Sequence, residues 1–518
     1  MRKRGFLFTL AVLSIAVSVG AELQSVEVGG AVRLRGRYWN NTYNTTVGAP
    51  PVGRIVPLGL SGRALGPFGA ASRYDWDDEG SDLSIVEQDT RLHVKADFTD
   101  SVTAFIEVES FDIWGDAFRS AYNTGVDFSG AAVTDNVMVI QSYVEMREVG
   151  GQPLRLRVGR QLIELGKGWL VDDIATAIFY QPYDAVRLTW TPENWTIDAF
   201  AAKLIESMAA EDDGDVNFYG VYGTYSGFKP VSLSLYWLLI RDPRDINDTT
   251  SDPFTEFYEE LLGLDQYAPT YLNTAGLRAW GASHGFDYDL ELAYQFGEAD
   301  AVGALFKLPP SPYGRTGEHF DAWAGDFEVG YKFDAPWAPR VFVGGAYFEG
   351  EDNRKPVPLT LSPAKASISF NRLFAGTPYS GILDVQQDMS NFWQARAGIS
   401  VKPLENISGG IKAAYYEVIA PFDVPWLAFN NNYALRQPRQ ALNPLLMREA
   451  DDDIGYTASL WLRYDYSKDL YFMVGWDHLF TGDGLRDGSY LHRMGLEFSG
   501  GTDDADADYV YFDTGITF

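Results

Sequence analysis

Positive side chains recur at every second position in several short stretches of this chain. Arg33, Arg35 and Arg37 alternate with Leu34, Gly36 and Tyr38, and Arg91, His93 and Lys95 alternate with Leu92, Val94 and Ala96. Arg155 and Arg157 sit among Leu154, Leu156 and Val158, and Arg187 sits between Val186 and Leu188. Arg278, Arg396, Lys412 and Arg463 each lie between apolar neighbours, and Glu107, Glu109 and Glu145 share the same inward parity. A guanidinium is a planar fork of donors that matches a carboxylate bidentately, so the chemistry on offer is anion recognition. Two arrangements would use it. One is a pathway for anionic sugars, in which a cationic lining selects anions and must also release them. The other is a packed network of Arg–Glu/Asp pairs that braces a wall. The residues alone leave both open.

Catalytic chemistry finds little support. The five histidines, His93, His284, His319, His478 and His492, show no metal-ligand spacing. No nucleophile elbow, phosphate loop or His-Glu-x-x-His is present. Cysteine is absent, so neither a disulfide framework nor a thiolate metal site is available. Asp477-His478 could join Ser459 in a hydrolytic group on neighbouring strands; a histidine in an interfacial girdle is the competing reading. The pairs Gly29-Gly30 and Gly344-Gly345 read as strand kinks or close approaches.

Period-two patterning requires β-strands to position these residues, because successive side chains then point to opposite faces. A charge facing lipid near mid-bilayer costs roughly 2–4 kcal/mol, which assigns the arginines to an enclosed lumen. The last stretch, 508–518, fits: Val510, Phe512, Ile516 and Phe518 share one face, while Tyr509, Tyr511, Asp513 and Thr517 share the other. An apolar face with aromatics and a terminal Phe suits the closing strand of an outer-membrane barrel. Arg2, Lys3 and Arg4 precede an apolar run that ends near Gly20-Ala21, the plan of a secretory signal peptide over 1–21. No other stretch is long and apolar enough for a membrane helix. Tyr, Phe and Trp number 30, 32 and 14, which suits interfacial girdles. The net charge of −30 is hostile to nucleic acid.

The expected architecture is all-β: a single transmembrane antiparallel barrel over 22–518, monomeric, in the cell outer membrane. It has 18 strands, an even number as expected when both termini are periplasmic. They fall near 26–40, 83–98, 101–114, 135–148, 153–163, 179–190, 195–205, 215–226, 230–241, 271–283, 286–296, 320–333, 339–349, 390–403, 406–418, 453–466, 469–480 and 508–518. Short turns alternate with long polar loops at 41–82, 115–134, 242–270, 297–319, 350–389 and 421–452. The alternating stretch 489–498 is placed in the last long loop, and 254–262 is a short helix within a loop. Acidic runs at 75–79, 211–213, 259–260, 451–453 and 503–504 fall in loops or at their ends. They read as a solvated repelling surface, or as a calcium site or divalent bridge to lipopolysaccharide. No other cofactor is implied.

Three segments resemble the alginate-export family of outer-membrane barrels. The first is Leu156-Arg157-Val158-Gly159-Arg160-Gln161 with Gly166 and Gly168-Trp169; the second is Tyr183-Asp184-Ala185-Val186-Arg187-Leu188-Thr189-Trp190. The third runs from Phe370-Asn371-Arg372-Leu373-Phe374 through Gly381 and Asp384 to Asn391. Phe480 with Gly482 and the Tyr-rich end also look like the family's C-terminus. The resemblance implies an 18-stranded monomeric barrel whose arginine-rich interior passes a polyuronate. Ala375 and Thr377-Pro378 depart from the family's Pro and nearby His. Arg160 has lipid-facing parity, which places it at the rim unless a bulge re-aims it.

The leading functional expectation is a passive channel for anionic oligo- or polysaccharide. The alternatives are a general or sugar porin of low selectivity and a structural or adhesive barrel plugged by 350–389. The expected pathway uses Arg33, Arg35, Arg37, Arg91, Lys95, Arg155, Arg157, Arg187 and Arg396, with Glu107 and Glu109 preventing overly tight binding. Arg157 and Arg187 are expected in one patch and Arg35 and Arg91 in another. Expected partners are outer-membrane lipid and lipopolysaccharide, the anionic sugar, and the barrel-assembly machinery through Phe518.

Overall fold

Alternation of apolar and polar residues over nine or more positions makes strands that are half-buried on either side. Closing them into a ring leaves no unpaired edge in lipid. The computed structural model describes residues 22–40, 82–99, 101–114, 137–175, 179–206, 215–243, 269–298, 319–350, 370–384, 389–419, 451–484 and 506–518, together with five isolated residue pairs. The predicted leader lies outside these residues, as do 254–262, 489–498 and every acidic run except 451–453.

The barrel strands are β1 (Ser25–Asn40), β2 (Leu83–Thr99), β3 (Val102–Ile113), β4 (Val137–Met146), β5 (Leu154–Leu162) and β6 (Pro182–Trp190). Next come β7 (Trp195–Ile205), β8 (Val216–Phe228), β9 (Val231–Asp242), β10 (Thr270–Ser283), β11 (Phe286–Glu298) and β12 (His319–Lys332). The last six are β13 (Arg340–Phe348), β14 (Phe392–Leu404), β15 (Ile407–Val418), β16 (Asp453–Asp465), β17 (Leu470–Thr481) and β18 (Ala507–Thr517). Each pairs antiparallel with the next, and β18 returns to β1 from Ala31↔Thr517 to Asn40↔Asp508, closing an 18-strand barrel. Phe518 completes the seam: its amide donates to the Gly30 carbonyl, and its own carbonyl accepts from the Gly30 amide.

The faces divide as the alternation predicts. Val94, Val158, Val186, Leu235, Val343, Leu460 and Phe512 are exposed on the outer wall. Aromatics cluster at both ends of the strands. Trp195–Tyr225 and Phe286–Tyr331 mark the short-turn end, and Tyr294–Trp323 and Tyr415–Tyr456 the long-connection end. That is the girdle pattern of a strand-spanning membrane protein.

The buried apolar core is inside the barrel. Two connections at the long-connection end turn into the lumen, 163–173 after β5 and 370–384 after β13. They dock on each other: the Asp172 amide donates to the Phe374 carbonyl, and the Phe374 amide to the Leu170 carbonyl. Ile163, Trp169, Val171, Phe370, Ile382 and Leu383 are buried against wall residues that include Phe218, Leu238, Phe320, Phe348, Phe392 and Tyr416.

Candidate functional site

The inward segments are fixed to the wall by polar anchors. The Trp169 indole donates to the Tyr379 hydroxyl at 2.8 Å, and that hydroxyl donates to Asp326 at 3.2 Å. Lys167 reaches Asp326 at 2.7 Å and Asp289 at 3.1 Å, and Arg396 reaches Asp326 at 2.9 Å. The Gln295 side chain imitates a backbone partner, donating to the Asn371 carbonyl and accepting from its amide, both at 2.7 Å. Trp39 donates to the Gly381 carbonyl at 2.9 Å, and Tyr416 to the Tyr379 carbonyl at 2.9 Å. At the centre, Arg372 is 0% exposed. It pairs with Asp384 at 2.6 Å, donates to the Thr377 carbonyl and lies against the rings of Phe348 and Tyr379. Burial raises the Asp384 carboxyl and outweighs the lowering by Arg372 and two backbone donors. Burial likewise raises Asp173 to about 7, helped by neighbouring Asp172 and Glu164.

Close approach explains the glycines of this region. A Cβ on Gly381 would strike the Tyr509 ring and meet the Asp477 carboxylate at 2.6 Å. Gly166 has φ +67, in the left-handed region, and a Cβ there would meet the Tyr222 hydroxyl at 2.5 Å.

Beside the inward segment there remains a lumen cavity of about 520 Å³, bounded by Pro378–Gly381 and by β1 and β13–β18. Six cations line it, Arg33, Arg35, Arg37, Arg340, Lys412 and Arg463, against two carboxylates, Asp477 and Asp513. Phe342, Tyr379, Trp461, Tyr471, Tyr509 and Tyr511 are its aromatic lining. Asp513 is shared: Arg33 holds it at 2.6 Å, Arg35 at 2.9 Å, and the Tyr471 hydroxyl donates to it at 2.7 Å. Two guanidiniums therefore divide one carboxylate and keep spare donors. The Lys412 ammonium has Asp477, Arg396 and Glu328 as electrostatic neighbours and makes no hydrogen bond or ion pair with any described residue. Arg37 is held by Glu87, Arg340 by Asp287 and Glu328, and Arg463 by Asp465.

All of the sequence-predicted pathway residues face inward, but the structure does not bring them to one place. Arg157 and Arg187 are direct register partners, as expected of one patch. Each is engaged: Arg157 with Glu145 at 2.6 Å and over the Tyr143 ring, Arg187 with Asp198 at 2.9 Å. Arg155 donates to Thr189 at 3.2 Å. Arg35 and Arg91 do not form the second expected patch. Arg91 lies four residues farther along the β1–β2 register, where it meets Asp89 and Glu107 and covers the Tyr180 ring. Lys95 pairs with Asp97 and Glu27 near the short-turn end. Arg396 is committed to Asp326 and Glu328. Glu107 and Glu109 also depart from expectation. Both are buried in the wall, Glu107 accepting from Gln141 at 2.6 Å and Glu109 from the Tyr180 amide at 3.3 Å, so neither lines the cavity.

Arg160 does sit at the rim, on the outer face, paired bidentately with Asp184 at 2.8 and 2.9 Å. Asp477 and His478 point to opposite faces: Asp477 lines the lumen, while His478 meets Asp508 at 2.9 Å and stacks edge-on with Phe480 outside. They cannot act as a dyad with Ser459. The sequence reading misses Arg340 as a cavity residue, although its alternation with Val341 and Val343 is the same signal that marks Arg33. It misses Lys167 because inward-turning connections have no period to read. Among the described residues no group of three or more His, Cys, Asp or Glu is arranged to hold a metal ion.

Comparison with known proteins agrees with this geometry. No curated protein sequence matches the chain. Its fold is similar to the solved barrel OccAB1 of Acinetobacter baumannii, at 12% identity and TM-score 0.50, covering 95% of this chain and 97% of that one. OccK8 (OprE) and OccK11 (OpdR) of Pseudomonas aeruginosa align at 11% identity each, with TM-scores of 0.49 and 0.48. They cover 95% of this chain and 98% and 96% of theirs. The alginate-export family model matches residues 59–496, from the first long connection to the last. A closed 18-strand barrel with apolar outer walls, aromatic girdles and a charged lumen is an outer-membrane channel, and this chain belongs to the alginate-export family.

Proposed function

We propose that the channel passes an anionic oligo- or polysaccharide of the polyuronate type, and that the cavity beside 378–381 is its narrow point. The observation that carries this reading is the lining itself: six cations against two carboxylates, interleaved with six aromatic rings, in about 520 Å³. A uronate unit has a carboxylate on one edge and a largely apolar ring face. Arginine forks and aromatic faces at alternating wall positions match both features. Arg33 and Arg35 share Asp513, and Lys412 has no ion-pair partner among the described residues, so donors are available without first breaking a full pair. Asp477 and Asp513 stay among them, which favours release over trapping, as conduction demands.

Planar-bilayer recording tests this. The expected result is a conductance with anion preference, blocked by uronate oligomers and much less by neutral oligosaccharides of equal length. Equal block by both would support a porin of low selectivity, and no conductance would support a barrel plugged by the inward segments.

A further inference from the structure

The lipid-facing wall is not uniform at its long-connection end. Register places Arg160, Asp184, Lys203 and Asn217 in one row across β5, β6, β7 and β8, and Asn217 continues to Arg241 on β9. All have outward parity. The next outward row toward mid-membrane is Val158, Val186, Ala201 and Tyr219. The two rows line a shallow outer groove of about 410 Å³. Among the described residues elsewhere on this rim, several outward polar contacts are of another kind. Carboxylates hold aromatic donors: Tyr294 to Asp321, Tyr415 to Glu417, and Trp476 to Asp508.

A polar row above an apolar row, with cations on alternate strands, fits an amphiphile with anionic groups on its head. Neighbouring strands lie about 4.7–4.9 Å apart, so cations two strands apart are separated by roughly 10 Å along the rim. Arg160 is held in place by Asp184, and Lys203 by Asp215 at 2.6 Å and by Glu206. Both side chains remain accessible, at 43% and 39%. Each keeps donors beyond those pairs, since Arg carries five N–H groups and Lys three. The acids thus fix the cations rather than use them up. No described carboxylate cluster here is arranged to hold a bridging metal ion, which leaves direct contact between phosphate and cation.

We propose that the outer wall at β5–β9 binds a phosphorylated lipid of the outer leaflet, with phosphate on Arg160 and Lys203 and acyl chains along Val158, Val186 and Tyr219. This rests on the outer-membrane location and is independent of what the lumen conducts. The test uses the full-length barrel in detergent and native mass spectrometry, with lipid A and its dephosphorylated form as probes. Wild-type protein should retain lipid A, and the dephosphorylated lipid should bind about tenfold more weakly, as expected when charge-assisted hydrogen bonds are lost. Arg160→Gln with Lys203→Gln should show a similar loss, with heat-modifiable gel migration reporting that the barrel is folded. Inorganic phosphate at millimolar concentration should not displace the lipid. Equal retention of the two lipids, displacement by inorganic phosphate, or unchanged binding by the folded variant would each overturn the proposal. If the variant does not fold, the wild-type comparison of the two lipids decides alone. A barrel that conducts normally and fails this test loses the lipid site and keeps its channel function.

Discussion

The two sides of the lumen are built on opposite principles. From β18 through β1 to β5 the inner wall is a ladder of cations and acids, including Arg33, Arg35, Arg37, Arg91 and Arg157 with Asp513, Glu87, Asp89 and Glu145. From β6 to β17 its long-connection half is largely apolar and covered by the inward segments, with Phe218, Leu238, Phe320, Phe348 and Tyr416 buried there. Charges in a ladder can exchange one partner for another at small cost, whereas an apolar contact face is either packed or exposed. One wall therefore offers exchangeable charges, while the other holds the inward segments.

The largest effect should come from breaking the packed side. Asp384→Ala leaves the Arg372 guanidinium buried without its partner, and losses of this kind cost about 3–5 kcal/mol. The expected outcome is a marked fall in thermal stability together with a larger single-channel conductance. The double change Arg372→Met with Asp384→Leu should restore most of the stability, because removing both charges spares the unpaired one. If it does not, the pair matters for more than neutralising itself.

The comparison sharpens within the charged wall. Arg33→Gln with Arg35→Gln should reduce anion preference several-fold in reversal-potential measurements and weaken uronate block. Arg157→Gln with Arg187→Gln should change selectivity far less, because both guanidiniums already hold full partners away from the cavity. Equal effects from the two doubles would mean that the whole ladder, not the cavity, sets selectivity.

A pH dependence should arise in the inward segment. The Asp173 carboxyl, raised to about 7 by burial and by Asp172 and Glu164, prefers its neutral form in the folded segment. Its folded value lies above its unfolded one, so the stability it supports is intact at acid pH and falls as pH rises through about 7. Raising pH from 6 to 8 should loosen 163–173 and increase conductance noise. Asp173→Asn should flatten that response; an unchanged response would place the titration elsewhere.

The smallest effect concerns a single anchor. Trp39→Phe keeps a ring beside Tyr509 but removes the donor to the Gly381 carbonyl. Loss of about 0.5–1.5 kcal/mol is expected, seen as a slight drop in melting temperature with selectivity preserved.

The amino-acid sequence by itself determined the number of strands, their order and which side chains face inward. Period-two alternation reports the two faces of a strand directly, and lipid cannot accept a charge near its midplane. Arg33, Arg157 and Arg396 were therefore legible as lumen residues without any structure. Which acid each would meet was not, since Arg33 and Asp513 are 480 positions apart and join only when the barrel closes. The covering of Glu109 and the shared Asp513 are consequences of that closure. The inward course of 163–173 and 370–384 was likewise decided by tertiary structure. Connections carry no period, and Trp169 and Arg372 acquire their roles only by packing against strands far away in the chain.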